Sequence, residues 1–244
     1  MKKDIPESMR SSALDFADLL ERVASVSPLL RIRFSTSHPK DITDKVLHVM
    51  ARHENICKYI HLPVQSGSSS VLERMNRGYT REWYMDRIES IRRILPDCHI
   101  STDIISGFCG ETEEEHRETL SLMRWAGFSY AFMFAYSERP GTPAQKQFKD
   151  DIPEQEKNRR LREIVDLQQQ LSASRTREGL GKVFRVLIEG PSKRSGDMWS
   201  GRNSQNTVVV FPKGKAGIGE YTGVRINACT SATLIGTEAE ETKP

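Results

Sequence analysis

Three polar residues stand in places where their chemistry has to be accounted for. Gln65 closes the apolar run HLPVQ, and its amide can both donate and accept hydrogen bonds. Arg77, in MNRGYT, follows by one short helical turn. A guanidinium there suits a carboxylate, which it grips with two parallel bonds, and Arg74 competes for the same work. Asp103 lies inside the strand-like run STDII, where a carboxylate is costly unless it is paired. An arginine partner or a hydroxyl-bearing ligand would each satisfy it. The cysteines argue against a metal centre. Cys57, Cys98, Cys109 and Cys229 are separated by 41, 11 and 120 residues and form neither CxxC nor CxxxCxxC. They read as free thiols of a reducing compartment. His38, before Pro39, reads as structural.

The elements that would position these groups alternate. A helix is expected over 14–24, with Leu14, Leu19, Leu20 and Val23 on one face, and a strand over 31–35. A helix near 44–52, a strand at 59–64 and a helix over 81–95 follow. In the last of these Tyr84, Ile88, Ile91 and Leu95 recur at helical spacing. A strand over 99–105 leads to a capping box, Thr112 with Glu115, that opens a helix to about Ala126. The run 130–136 is a fourth strand. This βαβα rhythm implies parallel strands joined by right-handed crossovers, an α/β sheet or barrel. A complete eightfold barrel needs roughly 250 residues, more than this region offers. The first helix has no strand before it, so the chain is expected to begin partway through a domain.

A long polar helix over 154–178, with Leu161, Ile164, Val165, Leu167 and Leu171 apolar, stops at Gly179 and Gly181. After it the pattern changes to short β-rich runs at 183–188, 207–211, 224–228 and 232–235, the signature of a small antiparallel barrel. Two domains are therefore expected, 1–178 and 179–244. The chain has 244 residues and a net charge of only +3. Residues 182–236 nonetheless hold eight basic and three acidic residues, which suits a polyanion. No apolar run reaches the ~20 residues of a membrane span, and the N-terminus lacks the apolar core of a secretory signal, so no membrane partner and a cytoplasmic location are expected.

Three longer segments, HLPVQSGSSSVLERMNRGYTREWY (61–84), ISTDIISGFCGETEEEH (100–116) and AFMFAYSERPGTPA (131–144), together with RFSTSHPKD (33–41), resemble the later strands of the radical-SAM barrel in MiaB-type tRNA methylthiotransferases. The C-terminal stretch VLIEGPSKRS, SGRNSQNTVVVF, VRINACTSATLIG resembles their TRAM domain. One departure is Cys109, which stands where the family usually has proline.

The resemblance implies a fold: the later four βα units of a partial radical-SAM barrel, then a TRAM β-barrel. It implies S-adenosylmethionine and 4Fe–4S clusters in the intact family, with the cluster ligands outside this chain. It also implies tRNA, through the anticodon stem-loop, as partner, and an electron donor. The family's reaction puts a methylthio group on C2 of N6-isopentenyladenosine beside the anticodon. This chain alone is expected to be inactive. The resemblance places Gln65 and Asp103 near the S-adenosylmethionine ribose, Arg77 at its carboxylate, and Ile105 and Gly107 against its adenine. RNA contact is expected from Lys193, Arg194, Arg202, Asn203 and Asn206, with Trp199 stacking on a base. Two other readings remain open: a methylthiotransferase acting on a ribosomal protein, and a non-catalytic RNA-binding protein.

Overall fold

The computed structural model describes residues 14–35 and 38–240. The expectations for the first 13 residues, and for part of RFSTSHPKD, lie outside these. Helix α1 (Phe16–Ala24) opens with a capping box between Asp15 and Asp18 and is followed by α2 (Asp44–Arg52). Then come strand β1 (Tyr59–His61), the short helix α3 (Ser69–Arg74), α4 (Arg81–Ile94), β2 (His99–Ser106), α5 (Glu113–Ala126) and β3 (Tyr130–Ala135). The three strands form a parallel sheet in the order β1-β2-β3.

Each strand is two-faced, as a period of two requires. Ile60, Ile100, Ile104 and Ala131 are buried on one face of the sheet, under the helices. The α4 stripe is buried as its spacing predicts, with Tyr84, Ile88 and Ile91 at 0% exposure. Each such side chain contributes about 1.5–3 kcal/mol on burial. Helix α5 has the expected Thr112–Glu115 capping box and ends at Gly127 in the left-handed conformation. The other face of the sheet carries Tyr59, His61, Ser101, Asp103 and Ile105. The register pairs Asp103 with Phe132 and Ile105 with Phe134, so the β3 aromatics share that face. Tyr130, Phe132 and Phe134 are exposed.

Two expectations for this region change. The run 31–35 is not a strand: it makes one isolated bridge, Ile32 to Ile56, while Arg31 and Arg33 are bonded to Arg202 and Glu189 of the second region. In α1 the buried residues are Ala17, Leu20 and Ala24, while Leu14, Leu19 and Val23 face solvent. Small alanines let α1 approach α2 closely, and that choice rotates the larger residues outward.

The short helix α6 (Pro143–Gln147) precedes the long helix α7 (Glu154–Arg177). Helix α7 packs on β3 and α5. It buries not only Ile164 and Leu167 but also Lys157 and Arg160. Both cations are paired: Lys157 with Asp150 at 2.5 Å, Arg160 with Glu111 at 2.9 Å. Burial raises Glu111 despite the Gly107 amide and Arg160 acting against it.

Strands β4 (Val183–Ser192), β5 (Ser195–Arg202), β6 (Val208–Pro212), β7 (Tyr221–Cys229) and β8 (Thr233–Ala239) close into a barrel in the order β4-β5-β6-β8-β7. Its core is Val186, Ile188, Val209, Phe211, Val224, Ile226 and Leu234. The pairings are antiparallel except β6 with β8, which run parallel. That seam departs from an all-antiparallel barrel and is what closes an odd number of strands. β5, SGDMWSGR, has no strand signal of its own. The β4–β5 hairpin supplies it, with Gly201 letting the backbones meet: a Cβ there would lie 2.2 Å from the Leu187 carbonyl oxygen.

The barrel docks on the sheet region through specific bonds. Arg31 donates to the Arg202 carbonyl at 3.1 Å, the Lys58 amide to the Ser204 hydroxyl at 3.0 Å, and Thr176 to the Ser231 carbonyl at 3.1 Å. Arg33 pairs with Glu189 at 3.1 Å.

Candidate functional site

The carboxyl ends of β1 and β2 open into two adjoining cavities of 920 and 450 Å³ that share Gln65, Ile105, Tyr136, Thr142 and Ala144. Ligands of open α/β sheets bind outside such strand ends. Gln65 is held there by its backbone, with both bonds running to β2: its main-chain N–H donates to the Asp103 main-chain carbonyl and its main-chain carbonyl accepts from the Ile105 N–H, each at 2.9 Å. Its φ is +77°, a left-handed conformation that a non-glycine residue adopts at a cost. Two residues on, Gly67 packs flat on α5, where a Cβ would lie 2.5 Å from the Thr119 Cα.

Arg77 and Arg74 line the larger cavity but differ in commitment. Arg74 holds Glu115 with two bonds, at 3.0 and 2.8 Å. Burial alone would raise Glu115; Arg74, Ser70 and the Thr112 amide outweigh it and hold the carboxyl at about 2. Arg77 donates through Nε to the Tyr79 hydroxyl at 3.2 Å and lies 5.7 Å over that ring. Its Nη2 is buried with no hydrogen-bond partner, and no ion pair to it is seen among the described residues. A buried cationic donor without an acceptor fits a carboxylate ligand.

Asp103 and Ile105 line the smaller cavity with Phe134 and Arg139. The partner of Asp103 is not an arginine: His61 Nε2 lies 3.3 Å from its Oδ1. Gly107, at φ +71°, turns away from both cavities. Its amide donates to Glu111 at 3.0 Å, and a Cβ would lie 2.5 Å from the Lys157 side chain. Gln65, Arg77, Asp103 and Ile105 thus come together, and Gly107 serves the seam with α7.

Sequence reasoning missed Tyr136, Thr142 and Ala144. The segment AFMFAYSERPGTPA carried them, but no polar oddity singled any of them out. His61 was missed for the same reason.

The thiols do not form a cluster site. Burial pushes Cys98 up to about 12 and also raises Cys109. Among the described residues no group of three or more His, Cys, Asp or Glu side chains could hold a metal ion. A 4Fe–4S cluster therefore does not fit these residues, whereas a ligand with a carboxylate and ribose hydroxyls fits the two cavities.

The basic residues of the barrel separate toward its two ends. Lys193 and Arg194 form the exposed tip of the β4–β5 hairpin. Trp199 packs against the barrel core, with Lys213 4.6 Å over its ring. Arg202, Asn203 and Asn206 belong to the opposite, docked end. Arg202 lies 3.4 Å from Glu189 and donates to the Asn206 carbonyl at 2.9 Å. Asn203 is 1% exposed and accepts from the Thr207 amide at 2.9 Å.

Comparison with known proteins gives similarities over parts of the chain. The family model "Radical SAM superfamily" matches residues 10–123 and the TRAM domain model matches residues 177–237. These matches cover a little under half and about a quarter of the chain, respectively. The chain is 55% identical over 236 residues to the tRNA-2-methylthio-N(6)-dimethylallyladenosine synthase of Amoebophilus asiaticus, covering 96% of this chain and 49% of that protein. The protein of the same name from Bacteroides fragilis (strain ATCC 25285) is 55% identical over 232 residues, covering 95% and 51%. The chain spans about half the length of the curated relatives it matches. A solved coproporphyrinogen III oxidase from Escherichia coli, titled a radical SAM enzyme, overlays with a TM-score of 0.47 at 19% identity, covering 68% of this chain and 45% of its own.

Proposed function

We propose that this chain supplies the S-adenosylmethionine-holding and RNA-gripping portion of a cytoplasmic tRNA methylthiotransferase. The substrate is N6-dimethylallyladenosine in the anticodon stem-loop, and the product carries a methylthio group at C2. One observation carries the reading. A chain 55% identical to synthases of that name over 96% of its length brings Gln65, Arg77, Asp103 and Ile105 together around two joined cavities.

The residues act by binding and orienting. The free Nη2 of Arg77 takes the cofactor's carboxylate. Asp103 accepts from ribose hydroxyls. The Gln65 amide meets the ribose, and Ile105 gives an apolar wall to the adenine. Bound S-adenosylmethionine would supply the radical chemistry, with a cluster held by residues that the described part of this chain does not provide. Exposed Lys193 and Arg194 reach RNA phosphates, and such contacts make binding salt-dependent. An electron donor completes the partner set. No helix among the described residues is long and apolar enough to cross a membrane.

Nucleoside mass spectrometry of tRNA from cells with this gene disrupted tests the reading. Loss of 2-methylthio-N6-dimethylallyladenosine, with accumulation of N6-dimethylallyladenosine, is expected. An unchanged methylthiolated pool would overturn it and favour a ribosomal-protein substrate.

A further inference from the structure

The face of the sheet that carries Asp103 also carries a line of polar side chains. The Tyr59 hydroxyl lies 2.6 Å from the Ser101 hydroxyl, and that hydroxyl lies 2.9 Å from His61 Nδ1. His61 Nε2 then lies 3.3 Å from Asp103 Oδ1. Sheet register makes the line possible: His61 pairs with Ser101, and Asp103 stands two residues further along the same face. Phe132 meets the imidazole edge-on, with centroids 5.8 Å apart at 83°, and fixes its orientation.

The proton positions follow from the neighbours. An imidazole lone pair facing a carboxylate would be repulsive, so Nε2 carries the hydrogen and points it at Asp103. With that hydrogen on Nε2, Nδ1 is placed to accept a hydrogen bond from the Ser101 hydroxyl. The Ser101 oxygen in turn accepts from the Tyr59 hydroxyl. All the donors run one way, toward the carboxylate. A single imidazole N–H engages one carboxylate oxygen, where an arginine fork would engage both. Oδ2 and the remaining lone pairs of Oδ1 stay available in the 450 Å³ cavity. Contacts of this kind are often long in a ligand-free site and tighten when the ligand binds.

We propose that His61 is a positioning residue: backed by Ser101 and Tyr59, it presents Asp103 as acceptor to the vicinal hydroxyls of the cofactor ribose. This rests on the placement of the cofactor nucleoside proposed above.

The test is equilibrium binding of S-adenosylhomocysteine and of its 2′,3′-dideoxy analogue to the full chain, its His61→Ala and His61→Gln variants, Asp103→Asn, and the His61→Ala/Asp103→Asn double variant. His61→Ala is expected to weaken S-adenosylhomocysteine about tenfold, as loss of one charge-assisted contact implies, and to leave the dideoxy analogue unchanged. His61→Gln, which keeps a donor, restores much of the loss. The double variant binds no more weakly than Asp103→Asn alone, because His61 acts only through Asp103. Equal loss for both ligands, or no loss in His61→Ala, overturns the proposal while leaving the cavity assignment standing. If the unsubstituted chain binds neither ligand, the cavity assignment fails and the role of His61 with it.

Discussion

Arg74 and Arg77 show how little residue type alone decides. Both are arginines three positions apart on the rim of one cavity. Sequence left them as rivals, because only the fold brings Glu115 onto Arg74 and leaves Arg77 Nη2 without an acceptor. The Arg74–Glu115 pair is structural, and its titration follows. The folded-state value of about 2 lies below the ordinary 4.5, so the pair's contribution is complete above pH 4.5 and is lost as pH falls toward 2. Urea midpoints of the parent and Glu115→Gln, measured from pH 7 to 2, should differ most at neutral pH and converge in acid. A constant difference would contradict the pairing.

At the scale of elements, the backbone approaches near the site leave little slack. Gly67→Ala would drive a Cβ into the α5 backbone at Thr119. Relief requires α5 to move, so thermal unfolding should show a loss of several kcal/mol, more than the ~1 kcal/mol typical of a point substitution. A loss below that would mean α5 is not seated as described. The helices were the legible elements. Tyr84, Ile88 and Ile91 announced a buried stripe by spacing alone, and Thr112 with Glu115 announced a cap. β5 was not legible, since SGDMWSGR acquires its pairing from β4 and β6 rather than from propensity. The α1 face was misjudged because apolar size was counted, while the contact with α2 selected the small residues Ala17 and Ala24. In the site, Asp103 was legible as a carboxylate in an apolar strand; its histidine partner, 42 positions away, was not, because register is a tertiary fact.

Across the whole molecule, the junction between sheet and barrel explains where the basic residues went. Arg202, Asn203 and Asn206 read from sequence as polar loop residues suited to RNA, yet they build the turn that meets the sheet region. Lys193 and Arg194 remain at the free tip. Substituting both by alanine should weaken binding of an anticodon hairpin RNA and lower its salt slope by about two, as loss of two phosphate contacts implies; an unchanged slope would remove the tip from the interface.

The junction also carries a titrating group. His99 borders the cavities between the two regions. Burial, then Arg175, lowers its value to about 4. The unfolded chain takes a proton near pH 6.5 and the folded chain does not, so stability is full above pH 6.5 and falls from there to about 4. His99→Gln should flatten that part of the stability profile. A parent profile already flat between pH 6.5 and 4 would contradict this environment.

On this account the cavity at the strand ends takes S-adenosylmethionine through Arg77, whose buried Nη2 has no hydrogen-bond partner. The most direct measurement is equilibrium binding of radiolabelled S-adenosylmethionine to the chain and its Arg77→Ala and Arg74→Ala variants, each checked for folding by circular dichroism. Saturable binding by the parent, weakened roughly 10- to 100-fold in Arg77→Ala and much less in a folded Arg74→Ala, is the expected result. No binding by the parent, or equal affinity in Arg77→Ala, would contradict it.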